Sequence, residues 1–202
     1  MSSFRITGKQ KLSGEIVPQG AKNEALQVLC AVLLTPEEVI INNIPDILDI
    51  RNLISLLADM GVAVKRLSAD SYSFKAETID QEYFHTREFY TKSASLRGSV
   101  MIVGPLVARF GKAMIPKPGG DKIGRRRLDT HFLGIQKLGA RFTYDPVEKL
   151  YNIEAEKLRG SYMLLDEASV TGTANIVMAA VLAEGRRGLQ RRQRRHAGDA
   201  GK

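Results

Sequence analysis

Cysteine is nearly absent. Cys30 is the lone one in 202 residues, which excludes an internal disulfide framework and a cysteine metal cluster. It sits in an apolar helical run, where packing accounts for it better than catalysis. No apolar run approaches the length of a membrane span. The opening residues, Met-Ser-Ser-Phe-Arg-Ile-Thr-Gly, lack the apolar stretch of a secretory signal. A cytoplasmic protein is expected, with no membrane partner. No constellation of metal ligands is evident, so neither metal nor cofactor is expected.

An excess of charge of one sign is lacking as well, outside one segment. The net charge is +8, but six of those charges fall between Arg186 and Lys202, where six arginines and a lysine face one aspartate. The remaining body is close to neutral. A nucleic-acid function would therefore rest on the tail alone, because the body offers no basic stripe with interleaved aromatics. The tail, 186–202, has no apolar period of either two or 3.6 and is expected to be disordered.

What the chain does have is an ordinary globular composition, 44% apolar and 26% charged, enough for a core in one domain or two small ones. It also reads as an internal repeat. The first copy opens with an apolar helix from Lys22 to about Leu34. An extended Val39-Ile40-Ile41 follows, then a Pro45 turn. A second helix carries Leu53, Leu56, Leu57 and Met60 on one face, and a strand covers Gly61 to Val64. The second copy has a helix from near Arg97 through Val107, an extended Ala113-Met114-Ile115, a helix with Leu133, Ile135 and Leu138, and Gly139 to Phe142. Met60-Gly61 and Leu138-Gly139 lie 78 residues apart, and each glycine suits a left-handed helix end. Residues 72–76 and 150–155 alternate like half-exposed strands. A third copy starts at Ser169 and is interrupted after its first helix. The expected fold is α/β (α+β), with two complete units and a third cut short.

Chemistry is concentrated in one loop, Pro118-Gly119-Gly120-Asp121-Lys122-Ile123-Gly124-Arg125-Arg126-Arg127-Leu128-Asp129. Its glycines allow close backbone approach to a ligand. Its three arginines supply planar, permanently charged donors for phosphate or carboxylate. Asp121 places one acid among them. The pattern predicts a site for a phosphate-bearing small molecule. A second motif, Gln19-Gly20-Ala21-Lys22-Asn23, lies where a strand-like Glu15-Ile16-Val17 meets a helix start. Backbone N–H groups there favour anions, although a solvated first-turn lysine explains the same pattern.

Taken in order, Gly20 to Asn23, Leu96-Arg97, Gly104 to Gly111, Pro118 to Gly124, Arg126 to His131, Ser169 to Thr173 and Leu182 to Gly185 resemble the UDP-N-acetylglucosamine 1-carboxyvinyltransferase family. The resemblance runs from about Phe4 to Gly185. It implies transfer of the enolpyruvyl group of phosphoenolpyruvate to the 3-hydroxyl of UDP-N-acetylglucosamine with release of phosphate, the first committed step of peptidoglycan synthesis. It also implies an enzyme of two domains, each made of three α/β units and monomeric when full length. Residues 1–21 would then belong with the second domain, and 22–185 would form the first with its third unit incomplete.

The resemblance further implies site residues. Lys22 and Arg126 would contact phosphoenolpyruvate and stabilise charge as phosphate leaves. Asn23, Arg97, Arg126, Arg127, Leu128, Asp129 and His131 would surround the UDP-sugar. Ser169, Val170 and Thr171 would lie near its diphosphate and uracil. Helix capping and packing remain alternative roles for Asp129 and His131, and a solvated charge remains one for Arg127. Asp121 stands where many members carry a fosfomycin-sensitive cysteine, so it would be the general acid. That requires a pKa raised against the pull of Lys122 and the arginines.

Two alternatives remain beside this reading. One is an inactive fragment with at most UDP-sugar affinity, since the chain has about half the family's usual length and no counterpart of the second-domain general base. The change of composition at Arg186 would then be a frame-shifted end. The other is the sister shikimate enolpyruvyl transferase, which the Lys22-Asn23 pair and the block from Gly104 to Gly111 disfavour.

Overall fold

A computed structural model of the chain describes residues 3–119, 127–186 and 188–191. The elements run α1 (Lys22–Ala31), β1 (Glu38–Ile41), α2 (Leu48–Asp59), β2 (Ala63–Arg66), β3 (Tyr72–Lys75), α3 (Arg87–Ser95), α4 (Val103–Phe110), β4 (Lys112–Pro116), α5 (Asp129–Lys137), β5 (Arg141–Asp145), β6 (Leu150–Glu154), β7 (Tyr162–Leu165), α6 (Val170–Val181) and β8 (Gly188–Arg191). This is a mixed α/β architecture, as the apolar periods predict.

Two three-stranded sheets share one strand order, β1-β3-β2 and β4-β6-β5. In each, the central strand is antiparallel to both neighbours, so the outer two are mutually parallel and joined through a helix, α2 or α5. Their registers match as well: Glu38 and Ala63 both face Lys75, while Lys112 and Arg141 both face Glu154. A parallel pair, β7 with β8, forms a third, smaller sheet. The helices bury their apolar faces against these sheets and one another. In α2, Ile50, Leu53, Leu56 and Leu57 are buried at three- and four-residue spacing. In the second unit, Phe132 on α5 packs with tilted rings against Phe142 of β5 and Tyr151 of β6, with ring centroids 4.6 and 5.1 Å away. Cys30 is fully buried in this core, and burial pushes its thiol pKa up.

Several boundaries differ from the sequence reading. The strand expected from Gly61 starts at Ala63, because Gly61 adopts φ of +101° as the turn out of α2, as does Gly139 after α5. The helix expected from Arg97 begins as a 3-10 turn, Arg97–Ile102, before α4. The strand-like Glu15-Ile16-Val17 is not a strand: it pairs with no strand among the described residues, and Ile16 and Val17 are 90% and 81% exposed. The basic stretch from Arg186 is not uniformly disordered. Gly188–Arg191 run along β7 as β8, since ladder hydrogen bonds are made by the backbone and require no side-chain periodicity. The rest of the tail, from 192 onward, lies outside the described residues.

Arg109 fastens one unit to the other. From α4 it donates to the carbonyls of Leu33 and Thr35 (both 3.2 Å), Ala76 (2.5 Å) and Glu77 (3.1 Å), all in the first unit.

Candidate functional site

The starts of three helices carry most of the nominated residues. α5 and α6 meet at their N-terminal ends. A Cβ added at Gly172 would lie 2.8 Å from Thr130 Cγ2, and the Thr130 hydroxyl reaches Glu167 at 3.3 Å. α1 packs against both α6 and the 3-10 turn that begins at Arg97. The positive ends of the α5 and α6 helix dipoles therefore lie side by side.

Ser169 caps α6, its hydroxyl accepting from Gly172 N–H at 3.1 Å and its carbonyl accepting from Thr173 N–H at 3.0 Å. Val170 and Thr171, the next two residues, are exposed. Leu128 precedes α5 without a side-chain cap, its carbonyl accepting from His131 N–H at 3.0 Å. Asp129, in the first turn, is bound by Arg127 Nε at 2.6 Å. Arg97 Nη2 reaches the Arg127 carbonyl at 3.3 Å. A cleft of about 550 Å³ opens beside α5 and β7, lined by Arg127, Asp129, Thr130, Lys137, Asp166 and Glu167 among others. At the base of the glycine loop, Gly119 N–H donates to the Ala94 carbonyl at 2.7 Å. Asp121 and Arg126 lie outside the described residues.

His131 is the buried member of the set, 3% exposed. Burial, reinforced by the positive charge of Arg97, pushes its pKa down to about 4, so the ring is neutral near pH 7. Asn175 Nδ2 lies 3.0 Å from His131 Nδ1, and Thr171 Oγ1 lies 3.4 Å from Nε2. Asn175 is itself wholly buried. Its Oδ1 accepts from Gly104 N–H at 2.8 Å and its Nδ2 also donates to the Val100 carbonyl at 3.0 Å. α4 approaches α6 closely enough for this only because residue 104 is glycine, since a Cβ there would lie 2.3 Å from the Asn175 carbonyl oxygen.

Lys22 and Asn23 stand apart from these contacts. Both are exposed at the start of α1, and Lys22 forms an ion pair with Asp49 in the first turn of α2. The Asn23 carbonyl accepts from Gln27 at 2.9 Å. The structure thus links Arg97, Arg127 and Asp129 in one chain of contacts, and His131 with Thr171 in another. Sequence reasoning missed Asp49, Glu167 and Asn175. The signal for Asn175 is a lone amide in the apolar helix Val170–Val181, which marks a buried polar group in need of partners.

The fold is that of the enolpyruvyl transferases, and the sequence agrees. The chain matches the family described as EPSP synthase (3-phosphoshikimate 1-carboxyvinyltransferase) over residues 6–195, and it belongs to that family. Among curated proteins it is 68% identical over 186 residues to the UDP-N-acetylglucosamine 1-carboxyvinyltransferase of Bacteroides fragilis, covering 92% of this chain and 43% of that protein. The protein of the same name from Porphyromonas gingivalis is 60% identical over 185 residues, with the same coverage. Among solved structures, the enolpyruvyl transferase NikO from Streptomyces tendae shares the fold at a TM-score of 0.72 and 16% identity, over 91% of this chain and 42% of that one. EPSP synthase from Acinetobacter baumannii does so at 0.67 and 14%, again over 91% and 42%. The chain therefore spans about two-fifths of the length of the relatives it matches.

Among the described residues, no helix is long and apolar enough to cross a membrane, and no group of three or more His, Cys, Asp or Glu gathers in a metal-binding cluster.

Proposed function

We propose that this span is the first-domain part of a UDP-N-acetylglucosamine 1-carboxyvinyltransferase. The whole protein transfers the enolpyruvyl group of phosphoenolpyruvate to the sugar 3-hydroxyl in the cytoplasm, as a step of peptidoglycan synthesis. The observation that carries this is the 68% identity over 92% of the chain to a protein of that name. It separates this reading from the shikimate reading better than the fold does, since both reactions share the fold. In the net reaction a C–O bond forms between the sugar oxygen and C2 of phosphoenolpyruvate, and the bond from C2 to the phosphate oxygen breaks. The hydroxyl proton leaves with phosphate. The methylene carbon takes up a proton on addition and returns it on elimination.

Lys22 and Arg126 neutralise the phosphate and carboxylate of phosphoenolpyruvate in this reading, and Asp121 protonates the methylene. Arg97, the segment Arg127 to His131 and the start of α6 hold the UDP-sugar, whose phosphates suit a helix N-terminus with an arginine nearby. The pairing of Lys22 with Asp49 is consistent with a lysine that exchanges a carboxylate for substrate phosphate. Residues 1–21 dock on the second domain. The exposure of Phe4, Ile6 and Leu12, each 89% or more, supports this, since apolar side chains at that density imply a covering surface.

The test is phosphate release from phosphoenolpyruvate and UDP-N-acetylglucosamine, by this chain and by a full-length form. Asp121→Asn in the full-length form should abolish turnover by 100-fold or more, roughly the contribution of a general acid, while UDP-sugar binding persists. Unimpaired turnover would remove the acid role. The share of the relatives' length covered also favours a second reading for the isolated span, UDP-sugar binding without turnover. Binding without phosphate release by the short chain alone would establish it.

A further inference from the structure

The buried amide of Asn175 sets the direction of a hydrogen-bond chain that ends at the surface. A backbone N–H can only donate and a carbonyl can only accept. Gly104 N–H at 2.8 Å therefore fixes Oδ1 of Asn175 on its own side, and the Val100 carbonyl at 3.0 Å fixes Nδ2 on the other. The second hydrogen of Nδ2 faces His131 Nδ1 at 3.0 Å, so Nδ1 must be the unprotonated, accepting nitrogen. A neutral ring then carries its hydrogen on Nε2, which faces Thr171 Oγ1 at 3.4 Å. With its oxygen accepting from the ring, the threonine hydroxyl is left to donate outward from the exposed first turn of α6.

We infer that Asn175 is a positioning residue that holds His131 as its Nε2–H tautomer, so that Thr171 presents a donor, not an acceptor, to a phosphate oxygen of the bound nucleotide sugar. A phosphate ester oxygen without a proton can only accept, so a chain of donors ending in a hydroxyl hydrogen is the polarity it requires. The ligand half of this statement rests on the UDP-sugar reading above, whereas the tautomer half rests on Gly104, Val100 and the ring alone. A protonated ring would point Nδ1–H at the Asn175 amide hydrogens, and the Arg97 charge opposes protonation too.

Long-range proton–nitrogen NMR of the histidine-labelled chain tests it. The unaltered chain should show His131 as the Nε2–H tautomer at neutral pH. Asn175→Asp places a carboxylate against Nδ1 and should move the proton there or charge the ring. Thr171→Val should leave the ring signals in place and weaken UDP-N-acetylglucosamine binding, read by titration calorimetry, by about tenfold. An Nδ1–H tautomer in the unaltered chain would overturn the positioning role, as would an unchanged tautomer in a folded Asn175→Asp. The first of these needs no variant, so a failure of Asn175→Asp to fold leaves the test intact. Unchanged affinity in Thr171→Val would overturn the donor role of Thr171. No UDP-sugar binding by a full-length form carrying this span would overturn the functional reading and with it the ligand half, while the tautomer would still decide the rest.

Discussion

A buried histidine that accepts from an amide has no room for a second ring proton, and His131 shows what that does to stability. Its pKa falls from 6.5 in the free side chain to about 4 in the fold. Between those values the unfolded chain binds more protons than the native one, so stability rises with pH. The contribution is complete above about pH 6.5 and is lost as pH falls through about 4, amounting at most to about 3 kcal/mol. Urea-unfolding midpoints between about pH 7 and pH 4.5 should therefore fall for the unaltered chain and flatten in His131→Gln. An equal slope in both would mean that the ring is not held neutral. At this scale the candidate site was only partly legible. His131 entered through the resemblance alone, its partner Asn175 is 44 residues away, and no periodicity reports which amide a helix will bury against which ring.

Elements are held together across units by one side chain more than by sheet pairing. Arg109 leaves α4 and donates to four carbonyls of the first unit. Arg109→Met keeps much of the aliphatic stem and removes the guanidinium, leaving those carbonyls without their partner. It should cost roughly 2–3 kcal/mol, within the range for hydrogen bonds to a charged group. Thermal unfolding measures this directly, and a change under about 0.5 kcal/mol would mean that packing alone joins the units.

The helices and strands of both units were legible because their apolar periods are strong and their glycine turns recur at Gly61 and Gly139. α3 was not, since Arg87–Ser95 carries little apolar signal and has only Phe89 and Ser93 buried. β8 was invisible for a different reason: the backbone edge of β7 pairs with it, and that edge leaves no trace in residues 188–191.

The whole molecule is a mixed α/β member of the EPSP synthase family whose span covers 43% of a relative 68% identical to it. Family membership leaves the acceptor open between a shikimate phosphate and a nucleotide sugar, because one fold serves both and activity resides in the site. The identity to the named relatives favours the nucleotide sugar. The most direct measurement is phosphate release from phosphoenolpyruvate by a full-length form carrying this span, with each acceptor supplied in turn. The account predicts release with UDP-N-acetylglucosamine and none above background with 3-phosphoshikimate. Release with 3-phosphoshikimate and not with the nucleotide sugar would contradict it.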